Sequence, residues 1–206
     1  MAAGRSAVVS MAEEFERRRK YATIYAEENG RNGVTLDEAR DDMFEPNHFG
    51  MMMVKTGDAD AFITGGYSKY SETIELAKEI IGIREEYKHF GAMHILSTRK
   101  GTFFLADTLV NRDPDAETLV DVVKLTHDAV RFFAHEPVMA MLSYANFGSD
   151  KEAARGTANK ARDAVKMIHE QFPDYMIDGE MQVNVALDKQ SFGAAIPTPI
   201  LSPPDL

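Results

Sequence analysis

"AMLSYANFGSDKEAARGT", Ala140 to Thr157, holds a short apolar run, a turn of small polar residues and the opening of a helical pattern. Strand, loop and helix in that order are how α/β proteins bring an anionic ligand to backbone amides. Ser143, Asn146 and Ser149 offer polar side chains in the turn, and Gly148 frees the backbone for close approach. A plainer reading competes with this one: Ser149 or Asp150 simply caps the helix that starts at Asp150.

Upstream, Asp113-Pro114 supplies an N-cap and a first-turn proline. Leu119, Val122, Val123, Thr126, Ala129, Val130 and Phe133 then recur at helical spacing, and Pro137 hands over to a strand, Val138–Leu142. Downstream, Ala158, Ala161, Val165, Ile168 and Phe172 share one helical face. "PDYMIDGEMQVNVAL" predicts a further strand, with a turn at Asp178-Gly179. His94–Ser97 and Phe103–Ala106 flank "TRKGT" as a hairpin.

Nearer the start, Met11 to Asn29 predicts a helix whose thin stripe of Phe15, Tyr21, Ile24 and Tyr25 packs loosely. Thr35 and Glu38 match a capping box for a short helix through Met43, ended by Pro46. Phe49–Val54 continues as helix, and Ala61–Thr64 reads as a buried strand closed by Gly65-Gly66. Ser71 can cap the helix carrying Ile74, Ala77, Ile80 and Ile81. Strands alternating with long helices predict an α/β sandwich with a largely parallel sheet.

The chain's 206 residues suffice for one large domain or two lobes. A formal charge of −10 opposes binding to nucleic acid or an acidic membrane. The absence of cysteine excludes disulfides, thiolate catalysis and Cys-ligated zinc, and fits the cytoplasm. The six histidines show no tight ligand spacing, so no metal site is expected. The apolar runs are too short to span a bilayer and the N-terminus makes a poor secretory signal. There is no Walker sequence, no G-x-S-x-G and no G-x-G-x-x-G.

Two more loops should join the first at the carboxyl ends of the sheet. "ITGGYSKYSET" brings Thr64, Gly65 and Gly66, unless the glycines form only a plain turn. "ADTLVNRDPDAE" brings Arg112, the cation beside a helix start. Asp178 and Glu180 lie two apart on an extended segment, as an acid/base pair or as a turn aspartate with a solvated neighbour.

"FGMMMVKTGDADAFITGG", "FLADTLVNRDPDAETL", "EPVMAMLSYANFGS" and "DGEMQVNVAL" together resemble the phosphate acetyl/butyryltransferase (phosphotransacetylase) family, from about Thr35 to Leu187. The resemblance implies a three-layer α/β/α fold of the isocitrate/isopropylmalate dehydrogenase type, with coenzyme A and acetyl phosphate meeting in a cleft between two lobes. It also implies pairing into homo-oligomers. On this reading residues 1–34 are a helical arm, 35–136 the first lobe, 137–187 a partial second lobe and 188–206 an atypical Pro-rich tail. The family's late Ser-Arg pair and aspartate have no counterpart, so a fragment is expected.

Active members usually read Ser-Tyr-Ser-Thr-Lys-Gly-Ser where this chain has Ser143-Tyr144-Ala145-Asn146-Phe147-Gly148-Ser149, so Phe147 stands in place of a cation. Glu75 replaces a common arginine, reversing a charge. The Asn-Phe-Gly-Ser variant resembles the C-terminal domain of hybrid NADP-dependent malic enzymes. That resemblance implies a non-catalytic module that senses acetyl-CoA and helps its parent oligomerise. NADP and a divalent metal would then belong only to the malate-oxidising part. The alternatives are a fragment of an active phosphate acetyltransferase, moving acetyl between phosphate and CoA, and a purely structural assembly surface.

Overall fold

The computed structural model describes residues 10, 13–99, 101–149 and 156–187. The chain forms two compact units that part at Ile83/Arg84.

The first unit is helical: α1 (Phe15–Asn29), α2 (Leu36–Asp42), α3 (Pro46–Lys55) and α4 (Tyr70–Ile80). Thr35 caps α2 through the expected capping box, its hydroxyl taking the Glu38 amide while Glu38 reaches back to the Thr35 amide. Pro46 opens α3 rather than merely closing α2, because a proline at the first helical position lacks only an N–H that would go unused. Helix α1 is no loose arm. Tyr21 and Tyr25 are buried at the centre of the core with Met43, Phe49, Met52 and Ile80. Each phenol donates to a carboxylate, Tyr21 to Asp58 and Tyr25 to Glu79, both at 2.5 Å. A thin apolar stripe suffices because two of its members carry large rings and satisfied hydroxyls.

Two other expectations in this unit are corrected. Ala61–Thr64 is not a strand: it is irregular, Ile63 is 96% exposed, and no described strand lies beside it. Phe62 holds the segment down by packing its ring on Gly50 of α3, where any Cβ would collide. Ser71 does not cap α4; Lys69 stands at the N-cap, without a side-chain hydrogen bond.

The second unit mixes both element types. Strands β1 (Met93–Thr98) and β2 (Gly101–Ala106) form the expected antiparallel hairpin. Helix α5 (Ala116–Phe132) is capped by Asp115, whose carboxylate accepts from the Thr118 amide at 2.8 Å. Asp113, the expected cap, instead pairs with Lys160 at 2.7 Å. Strand β3 (Val138–Leu142) runs parallel to β4 (Met176–Met181), and α6 (Thr157–Gln171) joins them. A short helix, α7 (Val183–Leu187), follows. The core here is Val120 and Val123 of α5, Ala164, Val165 and Ile168 of α6, and Ile177 of β4.

Among the described residues the sheets are small, each of two strands, rather than one extended parallel sheet. The described part of α6 begins at Thr157 behind an extended Gly156, so the expected helix start at Asp150 falls outside the described residues, as does the Pro-rich tail. In place of the expected turn at Asp178-Gly179, β4 continues through both residues.

Candidate functional site

The loop after β3 is shaped by what β4 presents to it. Met141 pairs with Gly179 and Leu142 with Met181, so the register steps over Glu180. Such a bulge re-aims the skipped side chain. Gly179 makes the step feasible: its φ is +142°, and a Cβ there would lie 2.6 Å from the Met141 carbonyl oxygen.

Glu180 is fully buried and enters the loop. The Gly148 amide donates to Glu180 Oε1 at 2.7 Å, and the Phe147 amide donates to the Glu180 carbonyl at 2.8 Å. Phe147 and Gly148 both take left-handed φ, +45° and +74°, turning the two N–H groups inward. Arg162 of α6 stands over the turn, its Nε 3.5 Å from Glu180 Oε2, and a side chain at Gly148 would strike its guanidinium. Arg162 also bonds the Asn159 side chain.

The rest of the loop closes on itself. Asn146 receives the Ser149 amide at 2.9 Å, and Ser149 Oγ accepts the Asn146 amide at 3.2 Å. Asn146 Oδ1 accepts from the Gln182 amide at 2.8 Å, and the Ser143 amide donates to the Met181 carbonyl at 2.9 Å. Ser143 Oγ and Glu180 Oε2 are buried and have no hydrogen-bond partner among the described residues. Asp178 is buried too, and accepts from the Gly179 amide at 2.8 Å.

Ser143, Asn146, Gly148, Ser149 and Glu180 therefore converge within one unit. The amides of Ser143, Asn146, Phe147, Gly148 and Ser149 are already engaged by the chain itself. The amides of the expected helix start, from Asp150 on, fall outside the described residues. A second loop behaves alike. Asp107 accepts the amides of Ala92, Val110 and Asn111 at 3.2, 3.2 and 2.8 Å. Burial pushes the Asp107 carboxyl up, but these donors outweigh it and hold it below the ordinary aspartate range. Arg112, next along, is exposed.

In the first unit, Thr64 donates to Asn47 Oδ1 at 2.6 Å, and the Asn47 amide group donates to Ser68 Oγ at 3.1 Å. Gly65 and Gly66 take positive φ in open space. Asn47 and Arg162 escaped the sequence reading. Arg162 is one place from Ala161 on the helix that follows the loop, so a cation bordering that apolar face was the available signal. Among the described residues no cluster of His, Asp and Glu could hold a metal ion, and no helix is long and apolar enough to cross a membrane.

Residues 2–200 match the family model described as phosphate acetyl/butaryl transferase. The NADP-dependent malic enzyme of Escherichia coli K12 is 38% identical over 85% of the chain, which covers 23% of that enzyme. The phosphate acetyltransferase of Nitratidesulfovibrio vulgaris is 30% identical over 82% of the chain, covering 24% of that protein. Among solved structures, a phosphotransacetylase from Streptococcus pyogenes superposes with a TM-score of 0.74 at 23% identity, over 93% of this chain and 56% of that one. The EutD phosphotransacetylase from Staphylococcus aureus gives 0.71 at 21% identity, over 95% and 59%. The chain thus spans about a quarter of the curated relatives named here.

Proposed function

The chain belongs to the phosphate acetyl/butaryl transferase family, and from that premise we propose that it is the phosphotransacetylase-like module of an NADP-dependent malic enzyme, binding acetyl-CoA without transferring its acetyl group. Its fold on this reading is the two-lobed α/β/α type of the isocitrate dehydrogenases. Thr64, Gly65, Gly66 and Arg112 contact the ligand, while the Ser143–Ser149 loop, with Asp178 and Glu180, marks the former acyl-phosphate subsite. Homo-oligomerisation and a cytoplasmic location belong to the same proposal.

One observation carries it. The Gly148 amide is spent on Glu180 at 2.7 Å, in a loop where Phe147 stands instead of a cation. Transfer of an acyl group from phosphate needs donors and positive charge aimed at developing negative charge. Here the Gly148 donor is turned onto an internal carboxylate.

The identities of 30–38% to both malic enzymes and phosphate acetyltransferases keep the second reading, an active transferase, in play. An assay of acetyl-CoA formation from acetyl phosphate and CoA separates the two. The proposal expects no turnover above the uncatalysed rate with the full chain. Turnover that saturates with both substrates would establish the transferase.

A further inference from the structure

We propose that residues 87–89 are a strap latched onto α5 by one carboxylate, that of Asp121, and that unlatching it lengthens the joint between the two units.

The chain passes from the first unit to the second at Ile83/Arg84. The last hydrogen bond at the end of α4 runs from the Gly82 amide to the Ala77 carbonyl, at 3.2 Å. Residues 83–86 are exposed and make only a turn, the Tyr87 amide donating to the Arg84 carbonyl at 3.0 Å. No helix or strand holds residues 87–89. Their attachment to the second unit is made by Glu117, Asp121, Lys124 and Asp128 of α5, spaced i, i+4, i+7 and i+11 along one helical face.

Asp121 makes most of it. Its Oδ2 accepts from the Lys88 amide at 3.1 Å, the His89 amide at 3.2 Å and His89 Nδ1 at 3.0 Å. A carboxylate can only accept, so it keeps the proton on that ring nitrogen. The Asp121 side chain is 13% exposed, so water competes poorly for the shared oxygen. The other attachments lie further out. Tyr87 donates to Asp128 Oδ2 at 3.0 Å, and Lys124 Nζ stands 4.6 Å from the centre of the Tyr87 ring. Lys88 reaches Glu117 at 3.4 Å with both side chains largely in solvent, where such a pair adds little.

Past the strap the chain is pinned independently, because the Phe90 carbonyl accepts from the Asn111 side chain at 2.9 Å. Release from Asp121 therefore frees residues 87–89 and no more. The joint grows from residues 83–86 to residues 83–89, a gain of about 10 Å at full extension. A longer tether lowers the effective concentration of one unit about the other.

Two measurements on the full chain test this. Residue-resolved amide hydrogen exchange reads the latch. In the wild type the Lys88 and His89 amides should be protected. In Asp121→Ala both should exchange at least about tenfold faster, the loss of roughly one hydrogen bond to a charged group, while amides inside α5 keep their protection. Tyr87→Phe should change them far less. Asp121→Asn keeps the shape and drops the charge. It covers failure of the alanine variant to fold, and its Lys88 and His89 amides should also exchange faster than in the wild type.

The joint is read by spin-label distances. The chain has no cysteine, so Thr23→Cys on α1 and Lys166→Cys on α6 supply one label in each unit. The distance distribution should broaden when Asp121→Ala or Asp121→Asn is added. Unprotected Lys88 and His89 amides in the wild type, or equal protection in the wild type and the folded Asp121 variants, would overturn the latch. Faster exchange with an unchanged distance distribution would overturn the strap's control of the joint.

Discussion

Gly179 illustrates how one residue decides a site. A side chain at φ +142°, 2.6 Å from the Met141 carbonyl, forces either β4 away from β3 or the bulge out of register. Gly179→Ala should therefore destabilise the second unit by about 2–4 kcal/mol, summing backbone strain and overpacking. A lower urea midpoint at unchanged slope would register this, and an unchanged midpoint would contradict it. Tyr21 makes a different residue-scale prediction. Burial and the bond to Asp58 push its phenol up to about 12. A folded pKa above the unfolded value near 10 means the folded state holds the proton longer. Its contribution is complete below about pH 10 and drains away as pH rises towards 12. Tyr21→Phe should flatten stability against pH across that window, measured by chemical denaturation at each pH.

Among elements, α2 is short enough to depend on its ends. Thr35→Ala removes the capping hydroxyl from the Glu38 amide and should cost about 1 kcal/mol, seen as a lower thermal midpoint. This capping box was legible in the sequence because it is a local pattern of residue types at fixed spacing. The hairpin, the bounds of β3 and the buried face of α6 were legible for similar reasons. Other features depended on distant residues. Ala61–Thr64 has the composition of a strand but no described strand to pair with, so Phe62 packs on Gly50 and the rest stays irregular. Asp178-Gly179 has the composition of a turn, yet the pairing of β4 with β3 keeps it extended. The loop's residues were found from sequence, whereas the direction of its amides was not. That direction follows from the left-handed pair Phe147-Gly148 and from Glu180, whose insertion no local pattern announces.

For the whole molecule, a net charge of −10 and a self-filled loop shape how it meets a polyanionic ligand. The long-range field repels such a ligand, so any affinity must come from short-range contacts. Added salt screens the repulsion, so acetyl-CoA association should speed up with ionic strength, readable by stopped-flow at matched temperature. The most direct measurement is titration calorimetry of the full chain with acetyl-CoA, in the presence and absence of excess inorganic phosphate. A module that holds acetyl-CoA with its acyl-phosphate subsite closed should give a saturable heat that phosphate leaves unchanged. Heats of dilution alone, or a binding heat that phosphate abolishes, would contradict it.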